Sequence, residues 1–192
     1  AGNGNFSNGE SYVVDKIPPV VTAITRAGAS PTYALNVDFN IVFSEPMSGI
    51  NVSDFKLETA GITGASVNSV SGAGTNYVVS VNTGSGNGTV RLDVIDNDAF
   101  TDTVGNKLGG DGAGNGNFTG EAFTIDKSIP KVISIARSSP SLTNAASVDF
   151  VVTFSASVSG VDPSDFFAAT NLNSASIGAV SGSGNIYIVT AL

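Results

Sequence analysis

Hydrophobic and polar residues alternate along this chain in short runs with a period of two. In segment 35–43 (LNVDFNIVF), Val37, Phe39, Ile41 and Phe43 fall on one side, and Asn36, Asp38, Asn40 and Val42 on the other. Successive side chains of a β-strand point to opposite faces, so this spacing predicts a strand with one buried face. Tyr77, Val79 and Val81 predict a second strand, and Val90, Leu92 and Val94 a third. Phe123 with Ile125, and Tyr12 with Val14, predict closing strands. Burying each large apolar side chain contributes roughly 1.5–3 kcal/mol, and a one-residue slip would expose the whole set, so the pattern also fixes register. Between the runs lie SGAG (71–74), TGSGNG (83–88) and LGGDGAGNG (108–116), whose Gly and Asn tolerate the positive φ of tight connections. No segment carries a helical period. The expectation is an all-β fold: immunoglobulin-like sandwiches of about seven short strands.

The pattern occurs more than once. AGNGNF stands at 1–6 and again at 113–118, and segments 15–55 and 126–166 align without a gap at a spacing of 111, with 19 of 41 positions identical. Further on, VSGAGTNYVV (70–79) matches VSGSGNIYIV (180–189). Spaced aromatics and acids recur along with Gly and Ser, so this is a duplication and not low complexity. The repeat divides the chain into the closing strand of a preceding copy (1–15), a complete copy (16–126) and an incomplete copy (127–192) lacking its last two strands. An unfinished sandwich exposes an apolar face and unpaired edges. The expectation is therefore an excerpt of a longer tandem array, with completion by strand addition from another chain as the alternative. Pro18-Pro19 and Pro130 follow the closing strands and read as stiff junctions.

Composition removes several kinds of function. With no His and no Cys among 192 residues, there is no imidazole base, no thiol nucleophile, no zinc finger and no disulfide. Sixteen acids against eight basic residues, a net charge of −8, argue against a nucleic-acid partner, which requires a positive footprint. No apolar run is long enough to span a bilayer in this segment, and no signal peptide is visible at residues 1–15. No pair of carboxylates stands out as a glycosidase site, so the expectation is a protein that is not an enzyme.

Three motifs carry a resemblance. D-x-x-x-P-x-V (15–21 and 126–132), FSEPMSGINVSDF (43–55) and TDTVGNKL (101–108) resemble bacterial immunoglobulin-like repeats, strung in tandem through large cell-surface, adhesin and S-layer-type proteins. The second copy departs from the motif, with FSASVSG in place of FSEPMSG, so Glu45 has no partner at Ala156 and is a poor candidate for a site common to every repeat. The resemblance implies an extracellular spacer or adhesive stalk whose partners are neighbouring repeats of the same protein, or further copies in a filament. It also implies Ca²⁺ at domain junctions in some relatives.

Acidic residues crowd one stretch: Asp93, Asp96, Asp98, Asp102, Asp111, Glu121 and Asp126. Calcium takes six to eight oxygens from carboxylates, amide side chains and backbone carbonyls, which Gly/Asn-rich loops can supply. With the resemblance, the metal candidates are Asp126, Asp15 and Asp102, followed by Asp96, Asp98 and Glu121. The plainer account is that these acids hydrogen-bond their own turns. Phe6, Phe100, Phe118 and Phe167 are the candidate exposed aromatics for a glycan- or surface-binding module acting through end loops, although Phe beside Gly-rich turns also serves to plug a core. The functional expectation is a structural or adhesive repeat, with that binding module as the alternative.

Overall fold

The computed structural model describes residues 9–171 and 174–192. These form two compact units, one ending at Lys127 and the other beginning at Ser128. Among the described residues the chain is strand and loop, with single 3-10 turns at Val52–Asp54 and Pro163–Asp165 and no helix long and apolar enough to cross a membrane.

The first unit is a β-sandwich. Its strands are β1 (Val21–Arg26), β2 (Asn36–Phe43), β3 (Met47–Ser48), β4 (Phe55–Ala60), β5 (Ser66–Ala73), β6 (Asn76–Asn82), β7 (Gly88–Val94), β8 (Thr101–Asp102) and β9 (Phe118–Ile125). One sheet runs β1-β2-β6-β5, another β4-β7-β9, and β3 pairs with β8. The alternation in the sequence explains the packing. Val37, Phe39, Ile41 and Phe43 of β2 and Val79 and Val81 of β6 share one buried cluster with Val90, Leu92 and Val94 of β7 and Phe123 and Ile125 of β9. Phe39 meets Phe123 edge to face at 5.2 Å, which joins the two sheets.

The second unit is built from β10 (Val132–Arg137), β11 (Val148–Phe154), β12 (Ile177–Ser183) and β13 (Ile186–Ala191), in one sheet of order β10-β11-β13-β12. It follows the first sheet of the first unit closely. Val21 pairs with Phe43 and Val132 with Phe154, and each pairing has a register shift at the next residues, between Val21 and Ala23 and between Val132 and Ser134. Tyr77 lies edge-on to Phe43 at 5.8 Å and donates its hydroxyl to the Met47 carbonyl; Tyr187 lies edge-on to Phe154 at 5.9 Å and donates to that of Val158. Gly72 and Gly182 (φ +129° and +130°) each lie so close to the facing strand that a Cβ would strike its backbone.

The recurring S-D-F also has a local cause. Asp54 Oδ2 accepts the Asn51 N–H at 2.7 Å while Asn51 Oδ1 accepts that of Ser53, and Asp165 and Asp162 repeat the pair of bonds. Each short turn is therefore closed by its own capping box.

The units differ in what faces this sheet. Among the described residues the second unit has no counterpart of β4-β7-β9. Segment 166–170, the equivalent of β4, forms no strand, because β4 is held only by pairing with β7. Phe150 and Val148 are only half-buried, and every residue of β10 is exposed. The closing strand expected at Tyr12 and Val14 is likewise not formed: Tyr12, Val13 and Val14 are 93%, 98% and 70% exposed. Its equivalent, β9, owes its strand geometry to β7, and no described strand pairs with residues 10–14.

Candidate metal centre

Three carboxylates converge in the first unit. One oxygen each from Asp15, Glu45 and Asp102 lies within 4.8 Å of the others. Asp102 opens the turn D-T-V-G-N, and its side chain organises that turn. Oδ1 accepts the backbone N–H groups of Val104, Gly105 and Asn106 at 2.6–2.9 Å, and Oδ2 accepts the Asn106 amide at 2.7 Å. The same amide reaches the Asp15 carbonyl at 3.4 Å, and the Gly109 N–H donates to the Pro19 carbonyl at 2.8 Å. The lead-in segment 15–19 is thus tied to the loop after β8. Glu45 follows Ser44, whose N–H donates to the Val20 carbonyl at 2.9 Å and whose hydroxyl accepts the Val20 N–H at 3.0 Å. Segments far apart in sequence are fixed around one point by backbone bonds.

The electrostatics of the three groups differ. Burial alone would push the Asp102 carboxyl up, but the donors from Asn106, Val104 and Gly105 outweigh it and hold it below its ordinary value. Glu45, half-buried, is pushed up by burial first, then by the negative charges of Asp15 and Asp102 and by a hydrogen bond with Asp102. Among the described residues no Lys or Arg forms a salt bridge with any of the three. An all-oxygen set with unrelieved negative charge fits a hard divalent cation such as Ca²⁺. Both Asp102 oxygens already accept hydrogen bonds, and Asp15 Oδ1 accepts the Ile17 N–H at 2.9 Å, so ligand atoms would come first from Glu45 and the other Asp15 oxygen.

The other acids named from the sequence go elsewhere. Asp96 is buried and braces the Gly-rich loop, accepting the N–H groups of Asp98, Gly114 and Gly116 at 3.0–3.1 Å. Asp98 accepts the Gly112 N–H and, with Asp111, pairs with Lys107. Glu121 pairs with Arg26 through both the backbone N–H and the guanidinium, which together hold its carboxyl below the ordinary value. Asp93 is gripped by the Arg91 fork at 2.8–2.9 Å. Asp126 is exposed, and its N–H donates to the Thr32 carbonyl. By the repeat Asp126 is the equivalent of Asp15, but the residue matching Glu45 is Ala156, so the three-carboxylate arrangement is not duplicated around it.

Glu45 is therefore the member of the cluster that repeat comparison set aside. Its signal in the sequence is the E-P turn directly after a confident strand. Of the aromatics, Phe100 is 1% exposed and packs against Phe55 at 6.4 Å, Phe118 is half-buried, and Phe167 is exposed; Phe6 lies outside the described residues.

No protein-family profile, no curated protein and no solved structure matches this chain.

Proposed function

We propose that the chain is a non-catalytic repeat module of an extracellular structural or adhesive protein, built from tandem immunoglobulin-like sandwiches. The observation that carries this reading is what the duplication keeps. The capping Asp54 and Asp165, the Tyr77 and Tyr187 contacts, the close-approach Gly72 and Gly182 and the sheet registers recur. Of the candidate metal centre, Asp15 recurs as Asp126, but Ala156 stands where Glu45 would, so the three-carboxylate set is not copied as a whole. A chain that copies its scaffold and not a site extends a structure, with length set by copy number.

A calcium ion shared by Asp15, Glu45 and Asp102 would clamp the lead-in segment onto the unit that follows and stiffen the entry to it. The unit should then melt higher in Ca²⁺ than in EGTA, and Glu45→Gln should erase most of that difference. Equal melting midpoints with and without the chelator end the calcium part of the proposal. For the structural role, immunogold labelling of cells bearing the protein should decorate surface layers or filaments. Specific binding on a glycan array would instead favour a ligand-binding module acting through end loops.

A further inference from the structure

The outer side of the second unit's sheet carries an apolar patch. Val151 of β11 pairs with Ala136 of β10 and with Ile188 of β13, so the three stand in one row across the sheet. In the next row Thr153 pairs with Ser134 and Ile186, and Ile133 sits at the register shift beside Ser134. Strand alternation sets Val151, Ile186 and Ile188 opposite to Val152, Tyr187 and Val189, which are buried on the inner side. Ile133, Ile186 and Ile188 are 65%, 51% and 42% exposed. Single exposed apolar residues are ordinary on a protein surface, but a contiguous group of them marks a place of contact.

The first unit shows that this side stays open when the inner side is covered: with β4-β7-β9 in place, Asn40, Asn76 and Val78 are still exposed. It also shows that the sheet does not require apolar residues there. Thr22 stands for Ile133, Thr25 for Ala136, Asn40 for Val151 and Asn76 for Ile186, while Val78 stands for Ile188. Ala23 and Val42 run the other way, to Ser134 and Thr153. The charges differ as well. Asp149 matches Asp38, but Lys131 stands where the first unit has Val20. Asp149 lies near one end of β11. Lys131 lies past the other end, its N–H donating to the Ser155 hydroxyl at 2.9 Å and its carbonyl accepting the Ser155 N–H at 2.8 Å. Neither forms a salt bridge among the described residues.

We propose that this outer face binds the same face of a second copy of the chain, about a two-fold axis lying across the strands. The two β11 strands then run antiparallel, the sheets stack about 10 Å apart, and Val151, Ile186 and Ile188 of the two copies close over one another. Charge selects the occupant. A face with an acid at one end, a base at the other and apolar residues between is complementary to itself when reversed, so each Asp149 meets Lys131 of the other copy. Such a contact is isologous: the same patch serves both sides and closes at two. Four strands spaced about 4.8 Å apart and about 20 Å long cover roughly 400 Å² per copy, half of a standard interface, so a single contact is weak. It goes beyond the repeat reading, because it joins chains side by side and gains strength wherever several such units lie in parallel.

Sedimentation equilibrium on the 192-residue chain, carried to millimolar concentration in EGTA so that the metal question stays separate, tests this. A concentration-dependent dimer is expected. Val151→Asn together with Ile186→Asn should weaken it at least tenfold, since four apolar side chains leave the interface. These changes install what the first unit carries at Asn40 and Asn76 in the same sheet, so circular dichroism should show an unchanged fold. Lys131→Asp or Asp149→Lys alone should weaken the dimer several-fold, and the two together should restore it, because the pair is exchanged and not lost. The Asn substitutions leave the inner side of the sheet untouched, so association that persists in them uses another surface and overturns the proposal. A monomer at every concentration, or charge reversals without mutual rescue, would overturn it as well.

Discussion

The two units carry the same four-stranded sheet, and among the described residues only the first has a second sheet, β4-β7-β9, facing it. In the first, Phe39 and Val79 are fully buried; in the second, the equivalent Phe150 is half-buried, although Val189 is still covered at 3% exposure. Strand order, registers and the aromatic pair under the turn are the same in both. Local chemistry is therefore enough to set out the sheet: alternation, the capping boxes, and glycines where the backbone turns tightly. The facing sheet supplies burial and, with it, most of the stability. It also decides whether an edge segment is a strand at all, as β4 and the irregular 166–170 show.

The largest effect should come from adding a facing sheet to the four strands of the second unit. Fusing a second copy of residues 83–127 after Leu192, in the register set by the repeat, should bury Phe150, Val148 and Ile135. Full burial of an exposed large side chain contributes about 1.5–3 kcal/mol, and Phe150 and Val148 are already half-buried, so the three together predict roughly 3–6 kcal/mol of added stability in that unit. Hydrogen exchange of β10 and β11 reads it. Continued rapid exchange would mean that the two sheets are not equivalent.

A paired substitution gives a smaller contrast. Phe39→Ala, in a closed core, should cost about 3–5 kcal/mol, and Phe150→Ala, on the open face, less than about 2 kcal/mol. Equal losses in chemical denaturation resolved by unit would break the comparison.

The smallest effect concerns Glu45, present only in the first unit. Its pKa is raised on folding, so without a cation its ionised form weighs against the fold. That penalty is complete above the raised value and vanishes as pH falls below its unfolded value of 4.5. Glu45→Gln should therefore melt above the wild type at neutral pH in EGTA, with the gap closing in acid, while Ala156→Gln should show no such pH dependence. A gap that persists at low pH would assign the effect to packing.

Much of this architecture was legible in advance. The strand at 35–43 differs from β2 by one residue, and Val90, Leu92 and Val94 are buried as their spacing requires. The hydrophobic pattern predicts no strand at β1, β3, β4, β5, β8, β10 or β12. β5 and β12 are rich in Ser and Gly and expose most of their residues, so they present no hydrophobic stripe to detect. The site was legible only in part. Asp15 and Asp102 were candidates for the same ion, and the structure puts them together. Asp96, Asp98 and Glu121 were grouped with them by proximity in sequence, yet each serves a different loop or strand contact. Comparison between repeats passes over Glu45, because it reveals what is shared and Ala156 stands at the matching position. Contacts among residues 15, 45 and 102 depend on how loops close over the end of a sheet, which periodicity does not encode.

The seating of β9 beside β1 has a mechanical consequence. Ile24 meets Gly120, Arg26 meets Glu121, Ser30 meets Thr124 and Thr32 bridges Ile125 in parallel, so the two segments advance in the same direction. The chain enters this unit through β1 and leaves it through β9. Tension applied along the polypeptide would thus slide the two past each other, loading the Arg26–Glu121 pair and the Thr32 bridge together instead of peeling them apart in turn. A unit wired this way resists force as a clasp under shear, and it holds until all of its catches release at once.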